Sequence, residues 1–232
     1  MNEQLEEKKK VAGEKAIEYI KDGMTVGLGS GSTVYWSLKK LSELIQRGLN
    51  VTGIPSSVRT EKWANEFGIP LTSFSEVKQL DIAIDGADQV DYNFNLIKGG
   101  GGSLLREKMV CASAAQRIII VDDTKIVHTL GRYPLPVEVV PFGWEITAQK
   151  ISSLGCKPIL RKKNKEVFIS NNGNYIVDCK FDLIEHPLFL HEKLKQLLGV
   201  VETGLFIGMV DKVIIGKVNG MTQILDNKKK MY

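Results

Sequence analysis

Gly27-Leu28-Gly29-Ser30-Gly31-Ser32-Thr33 closes one short apolar stretch, Met24 to Leu28, and opens an amphipathic one that runs to about Gln46. A strand passing into a helix through glycine and hydroxyl residues decides the fold. It sets backbone N–H groups and the hydroxyls of Ser30, Ser32 and Thr33 at the positive end of a helix, where an anion such as phosphate is stabilised. Ser32 or Thr33 can cap that helix. A tight turn that needs small residues for steric reasons alone has the same appearance. A dinucleotide fingerprint does not fit, because position 32 is Ser where a third glycine is required and the next strand ends in Gly53-Ile54-Pro55 without an acid. A P-loop would need Gly-Lys-Ser/Thr, which is absent.

The alternation continues on both sides of this turn. Val11, Ala12, Ala16, Ile17 and Ile20 space an N-terminal helix that ends before Gly23. Val51 to Ile54 is the next strand, and a helix near Val58 to Phe67 stops at Gly68. Asp81 to Ile84 and Ile118 to Val121 are further short strands, separated by a glycine run and a helix from about Ser103 to Ala114. This βαβα order makes a parallel sheet, and the loops after its strands line the edge where ligands bind. After Gly131 the texture changes. Prolines stand at 134, 136 and 141, helical stretches lie near Trp144 to Leu154 and Leu188 to Leu198, and β-like stretches near Val167 to Ser170 and Tyr175 to Cys179. The expectation is an α/β fold: a Rossmann-like open parallel sheet from residues 1–131 plus 209–232, with Lys212 to Ile215 returning to it, and a smaller α+β domain over 132–208.

Composition narrows the function. The chain has 232 residues, 43% of them hydrophobic, enough for a sizeable core. Its net charge is only +4, with basic runs at Lys8-Lys9-Lys10, Arg161-Lys162-Lys163 and Lys228-Lys229-Lys230, which makes no case for nucleic acid. No apolar run approaches the roughly 18 residues of a membrane span, and the N-terminus lacks the apolar core of a signal peptide, so a cytoplasmic location is expected. Cys111, Cys156 and Cys179 are too scattered for a disulfide framework or a zinc site, and His128, His186 and His191 lack metal-binding spacing. Trp36, Trp63 and Trp144 are expected in the core or at an interface.

Two more loops carry chemistry. Asp85-Gly86-Ala87-Asp88 puts paired carboxylates at the end of a buried strand, where they can orient hydroxyls and pass protons; a magnesium site or two turn caps would look similar. Lys98-Gly99-Gly100-Gly101-Gly102 lets the backbone approach a ligand closely, before a helix that Ser103 can cap. Glu107, near the start of that helix, can face the cleft or serve only as a favourable charge at a positive helix end.

Taken together, these loops resemble ribose-5-phosphate isomerase of the A type. The resemblance covers essentially the whole chain: Gly29-Ser30-Gly31-Ser32-Thr33, Asp85-Gly86-Ala87-Asp88, Lys98-Gly99-Gly100-Gly101 with Arg106-Glu107-Lys108, Asp123-Thr124-Lys125, and Pro134-Leu135-Pro136-Val137-Glu138-Val139. It implies interconversion of ribose 5-phosphate and ribulose 5-phosphate in the non-oxidative pentose phosphate pathway, with no metal and no cofactor. Glu107 matches the family's catalytic base, with Asp85, Asp88 and Lys98 in the polar cluster around the sugar. Ser30, Gly31, Ser32, Thr33, Gly86, Ala87, Gly99, Gly100, Gly101 and Lys125 match substrate-binding positions. Ser30 stands where Thr is frequent and Gln89 where Glu is frequent. The family also implies a homo-oligomer, commonly a dimer. Sugar-phosphate-sensing domains of transcription regulators, coenzyme A transferases and amino-sugar phosphate deaminases use related sheets. The stretch before the first strand is too short for a helix-turn-helix module, and the other two explain the ordered loops less well.

Overall fold

The computed structural model describes residues 2–227, so the basic run Lys228-Lys229-Lys230 lies outside the described residues. The chain divides into two compact units. The first takes the described parts of residues 1–87, 106–125 and 209–232; the second takes 88–105 and 126–208.

The first unit is built on a six-stranded sheet. Thr25–Leu28 lies between Thr52–Pro55 and Leu80–Gly86, and the sheet continues through Ala114–Asp122 and Lys212–Gly216 to Thr222–Asp226. Neighbouring pairs are parallel except the last, in which Lys212–Gly216 meets Thr222–Asp226 antiparallel. That edge strand is absent from the sequence reading, because Gly220 and a short alternating stretch resemble a loop. The Rossmann-like expectation otherwise holds.

Both faces of this sheet are covered, as a parallel sheet requires. On one, the helices Asn2–Ile17, Ser32–Gln46 and Val58–Glu66 supply Ala12, Ala16, Leu38, Leu41 and Ala64 to a core that includes Ile82, Ile84, Ile118, Ile120 and Ile214 from the strands. Each fully buried leucine or isoleucine among these contributes about 1.5–3 kcal/mol by leaving water, and each alanine methyl less. On the other, Val110 of the helix Leu104–Ala112 packs with Ile54, Leu80, Ala83 and Ala114.

The second unit holds two four-stranded sheets. One orders Val200–Thr203, Leu135–Val139, Tyr175–Lys180 and Lys157–Leu160, all antiparallel. Its residues Leu135, Val137, Val139, Val177 and Cys179 form a core with Ile151 and Leu194 of the helices Trp144–Ser152 and Pro187–Lys195. The other orders Leu205–Phe206, Leu96–Ile97, Gln89–Asp91 and Ile126–Val127. That small sheet accounts for a difference from the sequence boundary at 131/132: residues 88–105 and 126–131 group with the second unit, because their strands pair with Leu205–Phe206 and with one another. Such two- and three-residue strands leave no periodicity to read.

None of the three cysteines is in a disulfide. Trp36, Trp63 and Trp144 are half-buried; Trp63 and Trp144 pack against the cores, and Trp36 donates Nε1–H to Glu6 Oε2 at 3.2 Å. The His128 ring lies tilted against Tyr92, with centroids 5.2 Å apart, and His191 hydrogen-bonds through Nδ1 with Thr203 Oγ1 at 2.8 Å. No helix among the described residues is long and apolar enough to cross a membrane.

Candidate active site

In the first unit the parallel register brings strand ends level: Leu28 pairs with Ile84 and with Pro55, and Gly86 with Ile120. The turn after Leu28 and the acid at Asp85 therefore meet. Asp85 Oδ1 accepts the N–H groups of Ser30 at 2.8 Å and Gly86 at 2.7 Å. A Cβ on Gly29 would stand 2.3 Å from Asp85 Cγ and 2.5 Å from its Cα, so only glycine permits this approach. Thr60 Oγ1 donates to the carbonyl of Gly29 at 2.7 Å, and the hydroxyls of Ser30, Ser57 and Thr60 form a chain with 2.9 Å steps.

The helix after this turn begins at Ser32, and its N-cap is Gly31, with φ 112° and no side-chain cap bond. Neither Ser32 nor Thr33 is the cap that the sequence allowed; Gly31 takes the position because its left-handed φ suits glycine. Ser32 is exposed and Thr33 half-buried. Lys125 ends the short 3-10 turn Asp123–Lys125 that follows the strand Ala114–Asp122, on the same edge. Lys8 anchors this turn through Asp123, Nζ to Oδ1 at 2.7 Å.

Glu107 lies in the first turn of the helix Leu104–Ala112 and is only 4% exposed. With Asp85 it lines one small cavity whose other walls include Gly27, Gly29, Val110 and Cys111. Arg117 lines the same recess, so the two carboxylates and a guanidinium border one enclosed space between the sheet and the helix.

Ala87 ends the first stretch of the first unit, while Asp88, Lys98, Gly99, Gly100 and Gly101 lie in the second. Lys98 follows the strand Leu96–Ile97, donates its backbone N–H to Gly204 O at 2.9 Å and is 3% exposed, its ammonium 5.4 Å from the Phe206 ring centroid. Gly100 donates its N–H to Asp88 Oδ2 at 2.8 Å, so the glycine run and the second acid of the Asp85–Asp88 loop are directly bonded. A Cβ on Gly100 would fall 2.5 Å from the Tyr133 hydroxyl and 2.6 Å from Asp88 Oδ1. Burial pushes the Tyr133 phenol above its ordinary range, and the Asp88 charge adds to this while Arg161 opposes it. Gly101 is exposed, and Gly99 is buried.

Several contributors escaped the sequence reading. Ser57 and Thr60 follow the second strand on the same edge as the first turn, and that placement was their available signal. Tyr133, Arg161 and Asp178 carry no local signal: Tyr133 and Arg161 meet the glycine run across long chain separations, and Asp178 joins it only through Arg161. Among the described residues no group of three or more His, Cys, Asp or Glu side chains converges as around a metal ion.

A doubly covered, mainly parallel sheet whose carboxyl edge carries a glycine turn, hydroxyls and the buried Asp85 has the form of an α/β enzyme that binds a small polar substrate at that edge. The sequence matches the family described as ribose 5-phosphate isomerase A (phosphoriboisomerase A) over residues 52–220. It is 56% identical to ribose-5-phosphate isomerase A 1 of Oceanobacillus iheyensis, covering 94% of this chain and 97% of that one. Identity to the Bacillus mycoides ribose-5-phosphate isomerase A is 50%, covering 93% and 98%. The solved ribose 5-phosphate isomerase of Plasmodium falciparum superposes with a TM-score of 0.92 at 40% identity, covering 95% and 98%. This chain belongs to the ribose 5-phosphate isomerase A family and interconverts ribose 5-phosphate and ribulose 5-phosphate.

Proposed function

We propose that Glu107 is the general base of this isomerisation. The observation that carries the assignment is the burial of its carboxylate beside Asp85 in the recess behind the first glycine turn. In the open-chain aldose, Glu107 removes the proton from C2 and returns it to C1, while the hydroxyl proton passes from O2 to O1 and the carbonyl moves from C1 to C2. One carboxylate serves both directions because the carbons are adjacent and the proton returns on the same face. The enediolate carries negative charge on oxygen, which Lys98 and the N–H groups of Gly99, Gly100 and Gly101 stabilise if they are oriented beforehand.

Asp85 and Asp88 hold substrate hydroxyls and assist ring opening. Ser30, Gly31, Ser32 and Thr33 receive the phosphate, where N–H groups and hydroxyls meet a helix N-terminus. Gly86 and Ala87 let the Asp85–Asp88 loop lie close to the sugar, and Lys125 adds a further cation for the substrate. The reaction as written calls for no redox cofactor and no metal.

The test follows ketose formation from ribose 5-phosphate by purified, chelator-treated protein. Glu107→Gln is expected to lower kcat by about 10²–10⁴-fold while leaving the fold and most substrate binding in place. A fully active Glu107→Gln enzyme would remove Glu107 from the role of base.

We also read the enzyme as a cytoplasmic homodimer. Exposed apolar side chains on the second unit, Phe142 at 93% and Leu198 at 83%, support an oligomeric contact there. Light scattering is expected to give twice the chain mass, and a monomer at micromolar concentration would overturn this reading.

A further inference from the structure

Four consecutive glycines have no preferred shape, yet their carbonyls and N–H groups must point in fixed directions if they are to meet a substrate. In the second unit one cation sets those directions. Arg161 Nη1 donates to the carbonyl of Gly99 at 2.9 Å and to that of Gly100 at 3.1 Å. Its other edge is clamped by Asp178, with Nε to Oδ2 at 2.8 Å and Nη2 bonded to Oδ1. The guanidinium is therefore held in a fork-to-fork pair and has its Nη1 donors turned toward the glycine run.

The carbonyl of Gly99 and the N–H of Gly100 belong to one peptide group. Arg161 grips that group on its oxygen, and Asp88 accepts its hydrogen at 2.8 Å. A planar peptide cannot turn one end without turning the other. Fixing the oxygen thus fixes the N–H that holds the Asp88 carboxylate, and the charge on Arg161 polarises that N–H toward it.

The surrounding sheet supports the same arrangement. Asp178 pairs with Pro136 and with Ile159, while Arg161 donates its backbone N–H to Ile176, so Arg161, Asp178 and Pro136 share the face turned away from the helices. Pro136 Cβ would lie 3.4 Å from a Cβ on Gly99, and the Phe168 ring occupies the space of a Cβ on Gly102. Glu138, fully buried on the same face, gathers Ser170 Oγ at 2.8 Å and the amides of Asn172 at 3.2 Å and Asn174 at 2.9 Å. That fixes the turn just after Phe168.

We propose that Arg161, braced by Asp178, is the positioning residue for Asp88, acting through the Gly99–Gly100 peptide. This rests on the reading that Asp88 holds substrate. Arg161 touches no reacting atom; it determines where the Asp88 carboxylate stands and how strongly its second-unit donor holds it.

A double-mutant cycle tests this, with kcat/KM for ribose 5-phosphate as the readout. Arg161→Met in the wild-type background is expected to lower kcat/KM on the order of 10²-fold, the cost of a misplaced group. Arg161→Lys, which keeps the charge but loses the fork, should fall between the two. In the Asp88→Asn background the same Arg161→Met change should cost less than about threefold, because its target is already gone. Equal losses in both backgrounds would mean that Arg161 serves the fold alone and would overturn the proposal, as would no loss in the wild-type background. If Asp88→Asn by itself leaves kcat/KM unchanged, the role of Asp88 falls and takes the proposal with it. Thermal unfolding monitors integrity, and should Arg161→Met fail to fold, Arg161→Lys carries the cycle on the same criteria.

Discussion

The turn at Gly27–Thr33 and the run at Lys98–Gly102 are both glycine loops, and they are held by different means. The first is fixed by topology: parallel strands end level, and the turn lands against Asp85 and the hydroxyls of Ser57 and Thr60. The second follows a two-residue strand and closes one local turn, Gly102 N–H to Gly99 O at 2.9 Å, which leaves its other peptide groups to be held from outside the run. Side chains from residues 133, 161 and 168 hold it instead. A loop set by strand register inherits its geometry from the whole sheet, whereas a loop set by a few side chains can be released by a single substitution.

The sharpest way to break this comparison is to add one methyl group to each loop. Gly29→Ala drives a Cβ into the backbone and carboxyl of Asp85, so the register itself must give. We expect a stability loss of about 1–3 kcal/mol together with collapse of activity. Gly100→Ala meets the far ends of Tyr133 and Asp88, which can swing aside. It should cost much less stability while still lowering kcat/KM, because Asp88 is displaced. Thermal melts with parallel kinetics separate the two; equal destabilisation would erase the distinction drawn here.

A smaller effect sharpens the second loop alone. The phenol of Tyr133 is raised first by burial and then by the charge on Asp88. The folded state therefore keeps this proton to higher pH than the unfolded chain, and the associated stability is intact below about pH 10 and lost as pH rises through the raised folded value. Asp88→Asn should move the Tyr133 transition downward without returning it to the ordinary value, since burial remains. Alkaline absorbance titration, with Tyr133→Phe subtracted, reads it. An unmoved transition would mean that the carboxylate does not act on the phenol.

Much of the first loop was legible in advance, because strand, turn and helix signals are local and adjacent. Gly29, Ser30 and Asp85 sit where the βα handover implies. The helix cap was misread, since Gly31 takes by backbone conformation a place that Ser32 and Thr33 could have filled by side chain. In the second unit the glycine run was conspicuous, but the groups that shape it were not. Arg161 reads as the first member of a basic surface triplet with Lys162 and Lys163, and only the pairing of Tyr175–Lys180 with Lys157–Leu160 turns it toward the loop.

By itself the sequence determined the parallel sheet, its ligand-binding edge and the residue types available there, because periodicity and turn chemistry act over a few residues at a time. The tertiary structure decided that Asp85 and Glu107 share one recess, that the small sheet takes residues 88–105 out of the first unit, and that Arg161 reaches Asp88 through one peptide group. Those outcomes depend on strand register and on contacts between residues sixty or so positions apart, as Arg161 is from Gly99, and no local pattern encodes them.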